Sequence, residues 1–242
     1  MKKLTLIAGC VFAGLAAHAA TVNWSAQVDT GFADSTNAAL AQGNFIRLGY
    51  FSIPDASVAL LASPTVANVA TLNASFVQFG QTTVGQSFGL NGFFAASSIF
   101  SYASNPTFDV THQMYVWVIK ATNNITLANA LNSVTEQAIV YEPFGAAGSS
   151  PTKAQWQFPA SDVALAKTPD IGDAKLTLGG VYLAGSYQAS NAALTTILGS
   201  PAGAVKLQGV PEPSSLALCA LAALGAAGAR RRSRSDFSIQ NR

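Results

Sequence analysis

Few residues of this chain have the type and spacing for chemistry. Gly85-Gln86-Ser87-Phe88-Gly89 follows the G-x-S-x-G spacing of a hydrolase nucleophile elbow, in which a sharp strand-to-helix turn exposes the serine. Asp109 and His112 follow in the order serine, acid, base. The surroundings do not fit that fold: no strongly helical segment follows Ser87, and a histidine only 25 residues later is too early to be its base. A glycine-rich hairpin or strand edge is the expected role, and no catalytic residue is assigned.

Acidic residues offer a second chemistry. Asp170 and Asp173 with Asp162, or Asp29 and Asp34 with Asn37, could give oxygen ligands to calcium, but neither set has the spacing of a calcium loop. Pro169 and Gly172 flank the first set, so turn formation is the expected role of these aspartates. The same acids could form a glycosidase pair, which needs a carboxylate separation that sequence does not supply. His112 is the only histidine after His18, which excludes a zinc site with two histidines in one mature chain. No metal or other cofactor is implied. Trp24, Trp117 and Trp156, or Tyr182 and Tyr187, could stack on sugars; Trp156 alternates with Gln155 and Gln157 as a core residue does, and Trp117 is also expected inside.

Charge limits the partners. Seven of the thirteen basic residues lie at the ends: Lys2, Lys3, Arg230, Arg231, Arg232, Arg234 and Arg242. Between them six basic residues face nine acids, a net of about −3, so the middle lacks the clustered cations that nucleic acid requires. Only 10% of the chain is charged and half is apolar, leaving solubility to Ser, Thr, Asn and Gln. Cys10 and Cys219 both lie in the terminal segments, so the middle must hold together without disulfides.

The ends carry addresses. Met1-Lys2-Lys3, the apolar run Leu4 to Ala16 and the small residues Ala17 and Ala19 read as a signal peptide over residues 1–19, to be cut near Ala19 by signal peptidase. Ile7-Ala8-Gly9-Cys10 imitates a lipoprotein box, but six apolar residues before Cys10 are too few for that pathway. At the other end Val210-Pro211-Glu212-Pro213 precedes sixteen uncharged residues, Ser214 to Ala229, and then Arg230-Arg231-Arg232. As a helix that run spans about 24 Å, and snorkelling arginines can extend it toward the roughly 30 Å of a bilayer core. The arginines form a membrane stop that places the last residues in the cytoplasm.

This order of Pro-Glu-Pro, short apolar helix and arginine cluster resembles the PEP-CTERM sorting domain of exported proteins in Gram-negative bacteria that make exopolysaccharide. The resemblance covers residues 210–234 and leaves a short polar tail, 235–242. It implies processing by a membrane-embedded exosortase, with Pro211, Glu212 and Pro213 as recognition residues. It also implies an inner-membrane-anchored precursor that moves on to the cell envelope or matrix, with exopolysaccharide as a possible partner of the ectodomain.

Residues 20–209 must position whatever the ectodomain does. Strands are expected at Asn44 to Phe51, Gly92 to Phe100, Met114 to Lys120, Gln137 to Glu142, Ala154 to Phe158, Lys175 to Ala184 and Ala204 to Leu207, between Gly, Pro, Asn and Ser clusters. Both faces of Met114 to Lys120 are apolar, marking a central strand covered on two sides. A helix capped by Ser63 is expected to run through Val66, Val69, Leu72, Phe76 and Phe79 to Gly80, and a weaker one from Asn191 to Leu198. The expectation is a mainly β, jelly-roll-like sandwich with one or two short helices, followed by a C-terminal transmembrane helix. Its role is expected to be structural or adhesive and not enzymatic, with carbohydrate binding as the alternative and a secreted hydrolase third.

Overall fold

The computed structural model describes residues 20–26, 29–100, 108, 110–144, 151–161 and 166–209. The fold is mainly β. Its strands in chain order are β1 (Ala20–Ala26), β2 (Thr30–Ala33), β3 (Phe45–Phe51), β4 (Phe76–Thr83), β5 (Phe94–Phe100), β6 (Tyr115–Ala121), β7 (Val134–Tyr141), β8 (Val181–Ala184), β9 (Ser186–Gln188), β10 (Gly203–Lys206) and β11 (Gln208–Gly209). Among the described residues five short α-helices interrupt them: α1 (Asp55–Leu60), α2 (Val66–Ser75), α3 (Leu127–Asn132), α4 (Pro151–Gln155) and α5 (Ala192–Leu198).

The largest sheet is antiparallel, in the order β11-β7-β6-β3-β4, with β8 also paired to β7. β6 lies at its centre, and Val116, Trp117, Val118 and Ile119 are all buried, as the two apolar faces of this strand predict. Arg47, Phe51, Phe76, Trp117 and Gln137 share one face of the sheet, by the register of β3 with β4 and β6 and of β6 with β7. Helices cover that side: the Gln137 amide donates to the carbonyls of Leu61 and Ala62 just after α1, and Asn73 of α2 reaches Arg47.

The other face meets a two-stranded antiparallel ribbon, β1 with β5. Trp24 of β1 packs edge-on to Phe94 of β5, and its indole N–H donates to the Ser98 hydroxyl. The far edge of β1 is taken by the segment around Lys167 to Asp170: Asn23 and Ser25 donate their N–H groups to the carbonyls of Lys167 and Pro169. A third sheet, β2-β10-β9, is mixed, because β10 runs parallel to β2 and antiparallel to β9. No closed barrel forms among the described residues.

Three predicted elements are corrected. α2 is capped by Thr65, whose hydroxyl accepts from the Asn68 N–H, and not by Ser63, whose carbonyl instead accepts from the Asn68 side-chain amide. It ends at Ser75: Phe76 and Phe79 belong to β4, where Phe76 packs against Phe51 and Trp117. Ala154 to Phe158 is not a strand. Trp156 and Phe158 are buried as the alternation predicts, but the chain reaches them through α4 and a single bridge, Gln113 with Gln157. Lys175 to Ala184 is a strand only from Val181, because Leu176–Leu178 forms a 3-10 turn and Gly180 presses on the Ala174 carbonyl where no side chain fits.

Candidate functional site

The G-x-S-x-G segment connects β4 to β5 as a loop. Gly85, Ser87 and Gly89 all have left-handed backbone, with φ of 89°, 71° and 64°. Glycine adopts that conformation freely; at Ser87 it is held by hydrogen bonds. The Ser87 hydroxyl donates to the Ala95 carbonyl at 2.9 Å, the Ala95 N–H donates to the Gln86 carbonyl, and the Gln86 N–H to that of Thr83. The hydroxyl that an elbow would aim at a substrate is therefore engaged with backbone.

His112 lies elsewhere. Its ring sits 4.1 Å from that of Tyr50, at the end of β3 opposite Phe45, which pairs with Thr83 beside the loop. Five residues of strand separate these ends, about 17 Å at roughly 3.4 Å per residue. Asp109 is outside the described residues.

Two adjoining concavities open around this loop. One, of about 440 Å³, is lined by Gln81, Thr82 and Thr83 of β4, Gln86 and Ser87, and Ala95 to Ser97 of β5. Its neighbour, about 330 Å³, shares Ser87 and Ala95 to Ser97 and adds Asn23, Trp24, Ser25 and Thr168. Among the described residues no carboxylate, ammonium, guanidinium or imidazole lines either. Hydroxyls and amides can orient a neutral ligand, but they cannot act as an acid–base pair near neutral pH.

The strands that wall the first concavity are both outer strands. Among the described strands β4 hydrogen-bonds only to β3, and β5 only to β1. Asn23 and Ser25 point their N–H groups away from β5, so the alternation of an antiparallel ladder assigns Ala96 and Ser98 to β1 and turns Ala95, Ser97 and Ile99 outward. The loop takes up Ala95. The backbone groups of Ser97 and Ile99 have no partner among the described residues, and the Ile99 side chain is 77% exposed. Sequence reasoning marked Gly92 to Phe100 as a strand but not as an edge; its run of small, uncharged residues was the available signal.

The acids are regrouped relative to their order in the chain. Asp29 joins Asp170 and Asp173: its carboxylate and that of Asp170 flank Gly172, and it pairs with the Lys175 ammonium. Asp170 caps a 3-10 turn, Ile171–Ala174, accepting from Gly172 N–H, and from the Ser25 hydroxyl at 2.6 Å. Burial raises the pKa of both Asp170 and Asp173, and repulsion within the trio adds to it. Turn formation is thus the role these aspartates have. Asp34 instead joins Lys120 and Glu136, and the Asn37 side chain accepts from Gln188. Among the described residues no group of three or more His, Cys, Asp or Glu is arranged to hold a metal; Asp162 is not among them.

No tryptophan offers a sugar platform. Trp24, Trp117 and Trp156 are 1%, 0% and 0% exposed. Tyr182 and Tyr187 are half-buried, and the Tyr182 hydroxyl donates to the Ala174 carbonyl. The terminal candidates, Ala17, Ala19, Pro211, Glu212, Pro213, Arg230, Arg231 and Arg232, lie outside the described residues, as does the predicted C-terminal helix. Among the described residues no helix is long and apolar enough to cross a membrane.

Sheet architecture and an uncharged concave surface among the described residues define a mainly β protein. Residues 209–232 match the family model of the PEP-CTERM protein-sorting motif, and the chain is a PEP-CTERM sorting domain-containing protein. The motif marks an exported protein of the Gram-negative cell envelope, sorted through exosortase-type machinery. No curated protein and no solved structure gives a significant match.

Proposed function

We propose that the ectodomain, residues 20–209, is a non-enzymatic structural or adhesive module of the envelope or extracellular matrix. On this reading residues 1–19 are removed as a signal peptide, and residues 210–234 hold the precursor in the inner membrane until exosortase acts at Pro211-Glu212-Pro213. The facing of ribbon and main sheet is read as a sandwich of jelly-roll type. One observation carries the functional reading: the described residues that line the concavities around the β4–β5 loop include no group that could transfer a proton, while the surface around them is hydroxyl, amide and open strand edge. The test compares host cells with and without the chain. Loss of cell–cell or cell–matrix cohesion in the deletion strain, restored by the full chain and by its Ser87→Ala form, is expected. Unchanged cohesion would overturn the reading, as would restoration by the wild type but not by Ser87→Ala.

The neutral lining favours a second reading, a carbohydrate-binding module for exopolysaccharide, because hydroxyls and amides pair with sugar hydroxyls without charge. With all three tryptophans buried, binding would rest on Gln81, Gln86 and Asn23. Saturable retention on isolated host polysaccharide that Gln81→Ala and Gln86→Ala weaken would support it, and no retention would remove it.

A further inference from the structure

The outward edge of β5 has an unusual combination of features. Edges of natural sheets are commonly blocked by lysine, proline or an inward charge, since their free N–H and C=O groups template another strand. β5 reads Phe-Ala-Ala-Ser-Ser-Ile-Phe, with none of these devices, and β4 beside it is also uncharged. Among the described residues the backbone N–H and C=O of Ser97 and of Ile99 have no partner, and Ile99 adds an exposed apolar side chain.

We propose that this edge joins two copies of the chain, β5 against β5 in antiparallel register about Ser98. In that register Ser97 lies opposite Ile99 of the second copy, and Ile99 opposite its Ser97. The outward groups of both residues then meet as two hydrogen-bonded pairs, with four hydrogen bonds and none of these groups unused. The arrangement is self-complementary, as a two-fold interface must be. Like-charge repulsion does not oppose it, because neither β5 nor any described residue that lines the adjoining concavity carries a charge. The Ser87 and Gln86 bonds to Ala95 limit the pairing at one end, so the joint is short. A short joint is weak singly and gains strength through many copies on one surface. The two ribbons become one four-stranded sheet that ties neighbouring molecules together, which deepens the structural reading and rests on it.

Two variants test the edge. Ile99→Lys puts a charge on it at a residue already exposed, and Ser97→Pro removes one outward N–H without touching the bonds to β1. Sedimentation of the chain as its host releases it, over a concentration series, is expected to show a monomer–dimer equilibrium weakened roughly tenfold or more by each variant, with unchanged melting temperatures. A control, Ile125→Lys, is 84% exposed elsewhere and is expected to dimerise like the wild type. A wild-type chain monomeric throughout, or variants that dimerise as well as the wild type, would overturn the proposal. Cohesion assays separate this from the broader reading: cohesion that depends on the chain but is indifferent to Ile99→Lys would remove the edge and leave the structural role.

Discussion

Gly80 of β4 faces Ser98 of β5 so closely that a β-carbon on Gly80 would lie 2.2 Å from the serine hydroxyl oxygen, with the Trp24 ring 3.3 Å away. This contact sets how closely ribbon and sheet approach. Gly80→Ala is expected to destabilise the fold by about 1–3 kcal/mol through overpacking. Ser98→Ala removes the obstructing hydroxyl, and the double variant is expected to cost less than the sum of the two single changes, measured by equilibrium urea unfolding. Additive costs would mean the layers yield elsewhere.

Gly80 also shows where sequence patterns stop. Read along the chain, it closes a helical spacing that begins at Val66; in the fold it is a point of contact between layers, and Phe76 leaves that helix to pack on Phe51 and Trp117, which are 25 and 41 residues away in sequence and adjacent only in space. Local signals did better: the helix expected from Asn191 to Leu198 is α5, which spans Ala192–Leu198 with Asn191 as the cap that the pattern counts as helix, and the β6 pattern located the central strand. The sorting motif was legible because it is read as a linear string. The free edge of β5 was not, since which strand lacks a partner depends on the whole sheet order.

Arg47 is 4% exposed, with its guanidinium 4.6 Å from the Phe76 ring centroid and 4.9 Å from that of Trp117. It donates to the amide oxygens of Gln78 and Asn73, and burial pulls its pKa down to about 10, so it remains charged near neutral pH. A planar fork between two rings suits arginine alone. Arg47→Lys is expected to cost about 1–3 kcal/mol, because the ammonium loses the stacking and stays buried. Arg47→Met, which keeps the apolar stem without the charge, is expected to cost less in the same unfolding assay. The reverse order would show that the charge itself stabilises the helical face.

Tyr115 and Tyr141 both donate to the Asp55 carboxylate, at 2.5 Å each. Burial, then the bond to Asp55 and its negative charge, raise both phenol pKa values above the ordinary 10.0. A raised folded-state pKa gives stability that is complete below the unfolded value and is lost as pH rises through the folded one. Stability is therefore expected to fall above about pH 10. Asp55→Asn removes the charge and should let tyrosinate absorbance appear at lower pH while the protein is still folded. Identical titrations of the two forms would show that burial alone sets these phenols.

Lys120 ties the turn after β2 to β7, donating to Asp34 at 3.1 Å and to Glu136 at 2.6 Å, while Glu136 also accepts the Ser35 N–H. Burial pushes the Asp34 pKa up, but hydrogen bonds from Thr36, Lys120 and the Ala38 N–H hold it below the ordinary 3.8. A lowered carboxylate pKa gives stability present above the unfolded value and lost as pH falls through the folded one. Unfolding below about pH 4 is expected to steepen through this group. Lys120→Gln should flatten that limb and, by leaving Glu136 buried without its cation, lower stability at pH 7. An unchanged acid limb would assign acid unfolding to other carboxylates.

The sorting motif makes its own prediction about mass. Exosortase-type handling at Pro211-Glu212-Pro213 should separate the apolar run and the arginines from the ectodomain, so protein recovered from the medium is expected to end near that motif and to lack Arg230 to Arg232. Glu212→Ala keeps the apolar run and the arginine stop but alters the recognition sequence, and is expected to shift the protein to the membrane fraction with its C-terminus retained. Intact-mass analysis of both fractions reads this directly. Released protein that still carries Arg242 would mean that sorting proceeds without cleavage, and equal release of the Glu212→Ala form would take recognition away from that residue.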